Sequence, residues 1–141
     1  MVVQDSLAEA KPLLWDCLKE LLREQDLGIY RERMQAFCDA YDADPANDRL
    51  FCHADTMMLV LADNPINGHL AATSMELLAQ SMGVGVLYSG FLQRIIAASP
   101  RMMEFLGLDG KKTICACMLF GYPAVTYQRT APRKKVNADW R

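Results

Sequence analysis

The chain has 141 residues, 52% of them hydrophobic and 23% charged, with a formal net charge of −2. This composition is typical of a globular protein, and the small charge gives no general attraction to nucleic acid or to an anionic membrane. No apolar run approaches the roughly 20 residues of a membrane span, and the N-terminus lacks the layout of a signal peptide. The length predicts a single domain over residues 1–141. Five cysteines, an odd number, favour reduced thiols in a cytoplasmic protein over a disulfide framework.

The N-terminal half predicts two strands and two helices. Met1–Gln4 is a short strand, and an amphipathic helix follows from Ser6 to about Gln25. A second amphipathic helix spans Ile29 to about Tyr41, and residues 42–49 form a polar loop. Thr56–Ala62 is an apolar run without alternation, which is typical of a strand covered on both faces.

The stretch from Asn67 to Gly90 predicts the core of an enzyme domain. A long helix runs from Ile66 to Met82, a glycine ends it, and Val84–Tyr88 forms an apolar strand before a tight Ser89-Gly90 turn. Because this helix is apolar over more than one stripe, we expect it to be buried at the centre of the protein and partly at a subunit interface.

The C-terminal part predicts two helices, one strand and a basic tail. Phe91–Ala98 is a helix, and a short helix follows to Leu106 with Ser99 as its N-cap. Thr113–Phe120 is the third buried strand, and Gly121-Tyr-Pro breaks it. The remaining extended tail carries Arg129, Arg133 and Lys134.

The Ser89-Gly90 turn is the first candidate binding site. A strand that ends in a tight turn and opens a helix presents backbone N–H groups and the positive end of the helix dipole to an electron-rich ligand atom. Gly90 has no β-carbon, so a flat ligand can approach closely. Most turns of this kind bind nothing, so the pattern alone favours a purely structural role.

Arg133 is the second candidate. The default interpretation of the basic tail is a solvated charge run. However, Arg133 follows Pro132 in an extended segment that leaves a buried strand, so its guanidinium can return to the body of the protein. The planar guanidinium suits a phosphate group.

A metal site is a weaker hypothesis. Cys115 and Cys117 are two residues apart on a predicted strand, so we expect both side chains on one face. Cys52 and His53 are the only nearby residues of a type that could complete a metal site. The favoured interpretation is that the strand cysteines are small buried apolar side chains and that no metal is bound. No residue is assigned a catalytic role.

These motifs together resemble the nitroreductase family of flavin mononucleotide (FMN) enzymes. The resemblance rests on LLAQSMGVG and LYSGF, on MMEFLGLDGKKTICACMLFGYP, and on YQRTAPRKK with a terminal tryptophan. It is strongest to the branch of the family that is fused to an N-terminal iron–sulfur, ferredoxin-like segment. It covers the C-terminal two-thirds of the family pattern.

The resemblance implies an α+β fold, a three-layer αβα sandwich that is N-terminally truncated and forms an intertwined homodimer. It implies FMN as cofactor and NAD(P)H as co-substrate, with hydride passing through the flavin N5 to a nitroaromatic, quinone or similar small-molecule acceptor. Flavin contacts are implied for Tyr88, Ser89 and Gly90 beside the ring and for Arg133 at the phosphate. Arg129 and Lys134 are implied as additional phosphate contacts, and an iron–sulfur protein as an electron donor.

The chain also departs from the family pattern. The arginine- and serine-rich segment that clamps the FMN phosphate in the family would precede Val2, and an asparagine-containing stretch is missing with it. An alternative function therefore stays open, in which the chain is a non-catalytic dimeric remnant or fragment that binds no flavin.

Overall fold

Four strands build the sheet in this computed structural model, which describes residues 1–126, 128, 132 and 134. The strands are β1 (Val2–Val3), β2 (Thr56–Ala62), β3 (Gly85–Tyr88) and β4 (Thr113–Gly121). They form one antiparallel sheet in the order β1-β2-β4-β3. Each predicted strand is confirmed with its ends within two residues of those expected.

The helices also follow the sequence prediction. They are α1 (Leu7–Glu24), α2 (Arg31–Ala43), α3 (Pro65–Ser81), α4 (Gly90–Ala98) and α5 (Pro100–Phe105). A short 3₁₀ helix over Gly28–Tyr30 precedes α2, so the second predicted helix begins as a tighter turn than expected. No helix in the described ranges is both long and apolar enough to cross a bilayer.

The sheet lies between two helical layers. On one face, Leu59 and Leu119 pack with buried residues of α1 and α4 such as Leu14 and Leu92 in the larger core. On the other face, side chains of β2 and β4 pack with Ala72 of α3 in a smaller core. The three-layer α+β architecture expected from the resemblance is therefore confirmed.

The stacking of Trp15 on Tyr41 holds α2 against α1. Trp15 is fully buried, and its ring centroid lies 4.4 Å from that of Tyr41 with an interplanar angle of 12°. Burial of an indole ring contributes more than most core contacts because of its large apolar area. This contact fixes where α2 stands relative to the rest of the larger core.

The prediction of a buried central helix is wrong for the single chain. Only Gly68, Ala72 and Ala79 of α3 are buried, whereas Leu70 and Leu77 are each 64% exposed. One face of α3 packs on the sheet through these small residues, and no described residue covers the opposite apolar face. Apolarity over several stripes predicted burial, but within one chain only one stripe has a neighbour to pack against.

The prediction that Cys115 and Cys117 share a face of the sheet is also wrong. A β-bulge shifts the pairing register, since Val60 pairs with Ala116 but Leu61 pairs with Ile114. The extra residue reverses the alternation of side chains on β4. Cys115 therefore packs in the smaller core beside α3, and Cys117 packs in the larger core.

Candidate functional site

The turn between β3 and α4 is held by hydrogen bonds centred on Ser89. Its backbone N–H donates to the carbonyl of Cys117 on β4 at 2.8 Å. Its hydroxyl accepts from the backbone N–H of Leu92 at 3.3 Å and so caps α4. Ser89 thus anchors the start of α4 to the sheet and fixes the direction of its first turn.

Two backbone amides remain available for a ligand. The N–H of Ser89 is already bonded, whereas those of Gly90 and Phe91 have no acceptor among the described residues. Both belong to the first turn of α4, where the helix dipole favours negative charge. A β-carbon built on Gly90 would meet no atom within 4 Å, so the space beside this turn is open.

A cavity of about 480 Å³ opens beside the turn. This volume lies within the usual range of small-molecule sites. Its apolar walls come from the 3₁₀ helix, α2, the following loop, β3 and α4, and they consist of Tyr30, Phe37, Leu50, Leu87 and Phe91. The rings of Tyr30 and Phe91 meet edge to face with centroids 5.4 Å apart. The cavity therefore has the walls that a flat aromatic ligand requires.

Sequence reasoning missed the three arginines that line this cavity. Arg33 comes from α2, Arg49 from the loop before β2, and Arg94 from α4. Arg94 follows Gly90 by four residues on α4, and this helical spacing was the one local pattern that linked an arginine to the turn. The contributions of Arg33 and Arg49 had no such pattern, because they depend on how α2 packs against the larger core.

The loop that carries Arg49 is anchored beneath the cavity. Asp48 is 7% exposed, and its carboxylate lies 3.4 Å from the Lys11 ammonium and accepts the N–H of Phe51 at 3.2 Å. The same Lys11 ammonium lies 3.3 Å from the carbonyl of Ala54 and donates to it. These bonds tie both ends of the segment around Arg49 to α1.

The same loop contains backbone in an unfavourable conformation. Cys52 and His53 have φ angles of 51° and 60°, in the left-handed region that most residues avoid. Each such residue costs of order 1 kcal/mol or more, so surrounding contacts must hold it in place. The bonds of Lys11 and Asp48 provide such contacts.

Tyr88 is the last residue of β3 and directly precedes the Ser89-Gly90 turn. It pairs with Met118, which faces the smaller core, and its phenol lies beside Glu76 and Thr73 of α3. Burial, followed by the nearby Glu76 carboxylate, raises the pKa of Tyr88 above its usual range. The phenol is therefore directed toward α3, on the opposite side of the sheet from α2.

Only one of the three tail residues predicted to bind the FMN phosphate lies among the described residues. Arg129 and Arg133, which the resemblance assigns to the FMN phosphate, lie outside the described residues. Lys134 is described and exposed to solvent. Their assignment to a phosphate stays a prediction.

A metal site has no support in the described part of the chain. No group of three or more histidine, cysteine, aspartate or glutamate residues is arranged there to hold a metal ion. Cys115 and Cys117 lie on opposite faces of the sheet, and Cys52 is exposed. Burial raises the pKa of Cys117 to about 12, which keeps its thiol protonated and disfavours metal ligation.

The layered sheet and the cavity beside its β3–α4 turn define a mixed α+β protein with a cavity of small-molecule size at the end of β3. The sequence model of the nitroreductase family matches residues 3–122, and the chain therefore belongs to that family. No curated protein matches the sequence.

Two solved structures share the fold. A nitroreductase with bound FMN from Desulfitobacterium hafniense is 17% identical, with a TM-score of 0.70, over 99% of this chain and 74% of that one. A nitroreductase with bound FMN from Bacteroides fragilis is 15% identical, with a TM-score of 0.70, over 97% of this chain and 73% of that one.

Proposed function

We propose that this chain is an FMN-dependent oxidoreductase that transfers hydride from NAD(P)H to a nitroaromatic, quinone or similar acceptor. The observation that carries the proposal is the pair of unbonded amides at Gly90 and Phe91, which border an open cavity with aromatic walls. Membership of the nitroreductase family and the likeness to two FMN-bound structures support it.

The residues present at the turn fit a flavin ring. The ring has electron-rich atoms along one edge, and the amides of Gly90 and Phe91 are the donors that such an edge needs. The open space at Gly90, where an added β-carbon would meet no atom within 4 Å, would let a planar group approach the turn. For the phosphate we propose the tail residue Arg133, assisted by Arg129 and Lys134, because guanidinium and ammonium groups bind phosphate oxygens strongly.

The chain itself acts by binding and orienting. When bound, FMN would supply the redox chemistry of hydride transfer between NAD(P)H and the acceptor. The Gly90 and Phe91 amides would orient the ring and stabilise negative charge on its polar edge. The apolar walls would exclude water from the reacting faces.

The overall reaction balances without a further reactant. A hydride and a proton convert a nitro group to a nitroso group with loss of water, while NAD(P)H is oxidised to NAD(P)⁺. A quinone takes up the same hydride and proton to become a hydroquinone. An iron–sulfur protein as an alternative electron donor also belongs to the proposal, because the sequence resembles the family branch that carries such a segment.

We also propose a homodimer formed through α3. Ile66, Leu70 and Leu77 share the outward face of this helix and are all more than 60% exposed. Between them, the hydroxyls of Thr73 and Ser74 bond to carbonyls of their own helix at 3.0 Å, so they present no unsatisfied donor to a partner. An exposed apolar face of this kind is typical of protein–protein interfaces, and pairing with a second copy would bury it.

The proposal is tested by titrating purified protein with FMN and following flavin fluorescence and co-elution. Gly90→Val should weaken FMN binding at least tenfold, because its side chain would fill the open space beside the turn. Ala97→Val is the matched control, since Ala97 is an exposed residue on the same helix. Arg133→Ala should weaken binding roughly tenfold or more, the scale of one charged hydrogen bond.

Three outcomes would count against the proposal. A parent protein that neither quenches nor retains FMN would leave the alternative of a dimeric protein without flavin. Equal affinity in Gly90→Val, with unchanged circular dichroism, would show that the turn is not the ring site. Unchanged affinity for FMN in Arg133→Ala would exclude Arg133 from the phosphate site but would leave the assignment of the ring site unaffected.

A further inference from the structure

We propose that Arg33, Arg49 and Arg94 form a subsite for the carboxylate of an aromatic acid, so that the preferred acceptor is an anionic nitroaromatic or quinone. This inference rests on the proposed function, because it identifies the class of acceptor that would reach the flavin at the Ser89-Gly90 turn. It assigns a role to three arginines that the contacts proposed for FMN do not use.

The charge of the cavity is the first argument. Three arginines line it, and none of its described lining residues is acidic. Within the described chain none of the three forms a salt bridge, whereas Arg101 on α5 pairs with Glu20 at 3.7 Å. Three unpaired guanidiniums around one space raise the local concentration of anions.

The second argument is that two of the arginines are already positioned. The guanidinium carbons of Arg33 and Arg49 lie 5.4 and 5.8 Å from the centroid of the Phe37 ring. Stacking against a ring limits the rotamers of a guanidinium, so less entropy is lost when it binds a ligand. Both residues can therefore offer planar pairs of donors to one carboxylate.

The third argument is the distance from the turn. Arg94 lies four residues after Gly90 on α4, about one helical turn or ~6 Å along its axis. A single aromatic ring spans a similar length. An acceptor that contacts a flavin held at the turn and directs its carboxylate along α4 towards Arg94 would therefore need only one ring.

The walls between these two points suit such a ring. Tyr30 and Phe91 meet edge to face in the lining, and Leu87 of β3 adds an aliphatic surface. Tyr30, Phe91 and Arg94 also line an adjacent cavity of about 250 Å³, which contains one carboxylate, that of Asp26. The neighbouring cavity therefore contains an acidic side chain, whereas the described lining of the cavity at the turn contains none.

The test compares para-nitrobenzoate with its neutral analogue para-nitrobenzamide. Equilibrium dissociation constants are measured for both compounds by calorimetry, with flavin-free and with FMN-loaded protein. The variants are Arg33→Gln, Arg49→Gln and Arg94→Gln, with Arg31→Gln as the matched control. Arg31 lies on the same helix as Arg33 but lines a different cavity, beside Cys38 and Asp42. The affinity of every variant for FMN is measured in parallel.

We expect the parent to bind the carboxylate at least tenfold more tightly than the amide in at least one of the two forms. In each cavity variant the preference for the carboxylate over the amide should fall roughly fivefold, the scale of an exposed ion pair. The affinity for the amide and for FMN should stay unchanged. Arg31→Gln should keep the full preference. Added salt should reduce the preference in the parent.

The proposal is overturned if the parent shows no preference for the carboxylate in either form, or if the preference survives in all three cavity variants. It is also overturned if the cavity variants lose FMN affinity and bind both probes equally less, because the arginines would then hold the cofactor. A parent that binds no FMN defeats the proposed function, and the flavin-free titration then decides the subsite by itself.

Discussion

Gly68 of α3 and Cys115 of β4 approach so closely that no side chain fits between them. A β-carbon on Gly68 would lie 2.6 Å from the β-carbon of Cys115 and closer still to its sulfur. Real β-carbons essentially never approach other atoms so closely. This contact lets α3 lie close against the sheet and fixes its distance from β4.

We therefore expect Gly68→Ala to destabilise the protein by a net of about 1–2 kcal/mol, because overpacking at this short distance should cost about 2–3 kcal/mol and alanine regains roughly 1 kcal/mol of helix propensity. Urea unfolding measures the change. Adding Cys115→Gly should restore part of the loss, since both nearby atoms are removed. A single variant as stable as the parent would mean that the helix is farther from the sheet.

The pair of Lys11 and Asp48 provides the second prediction. Asp48→Ala should lower the free energy of unfolding by about 2 kcal/mol, because the Lys11 ammonium would lose its counter-ion and the Phe51 amide would lose its acceptor. In a double-mutant cycle, Asp48→Ala and Lys11→Met should show a coupling of about 1 kcal/mol.

The surface pair of Lys19 and Asp42 is the matched control. Half of the Asp42 side chain is exposed, so its coupling should be about 0.5 kcal/mol or less. The loop that carries Arg49 should become more sensitive to protease in Asp48→Ala. Equal coupling in the two pairs would contradict the role of the buried carboxylate.

The pH dependence of stability gives the third prediction. Burial raises the pKa of Cys117 from 9.0 to about 12, and it raises the pKa of Cys38 to about 11. The neutral thiol is favoured in the fold, so stability is complete below pH 9, where the unfolded thiol is also protonated. It is lost as pH rises above about 9, by up to about 1.4 kcal/mol per pH unit for each thiol, until about pH 11 for Cys38 and about pH 12 for Cys117.

Unfolding free energies measured between pH 8 and about 11 check this slope. Cys117→Ala should be less stable at pH 8 because of the cavity it leaves, but its stability should fall less steeply with pH. Cys52→Ala is the control, since Cys52 is exposed, and its slope should equal that of the parent. Equal slopes in all three proteins would show that Cys117 does not titrate in this way.

The fourth prediction concerns the outward face of α3. Leu70→Glu should raise the dissociation constant of the proposed homodimer roughly a hundredfold, because a charge would be buried without a partner. Sedimentation velocity over a range of protein concentrations measures this. Ile29→Glu is the control, since Ile29 is 88% exposed and lies outside α3. A parent that stays monomeric at high concentration would refute the dimer, and flavin binding could then be examined in the monomer.

Local sequence patterns were sufficient to predict the helices and strands of this chain. The apolar run Thr56–Ala62 predicted β2 with its bounds, and Ser99 was predicted and found as the N-cap of α5. The Ser89-Gly90 turn was likewise found at the end of β3. These features depend on hydrophobic periodicity and on hydrogen bonds within a few residues, so neighbouring residues are enough to predict them.

The remaining features were decided by the tertiary structure, because they depend on residues that are distant in sequence. The bulge between Val60 and Leu61 separates Cys115 from Cys117, and no local pattern on β4 indicates it. Arg33 and Arg49 line the same cavity as Gly90 only because α1 holds α2 and the loop after it in place. The sequence by itself determined which segments are helix, strand and turn, whereas long-range packing decided which side chains share the cavity.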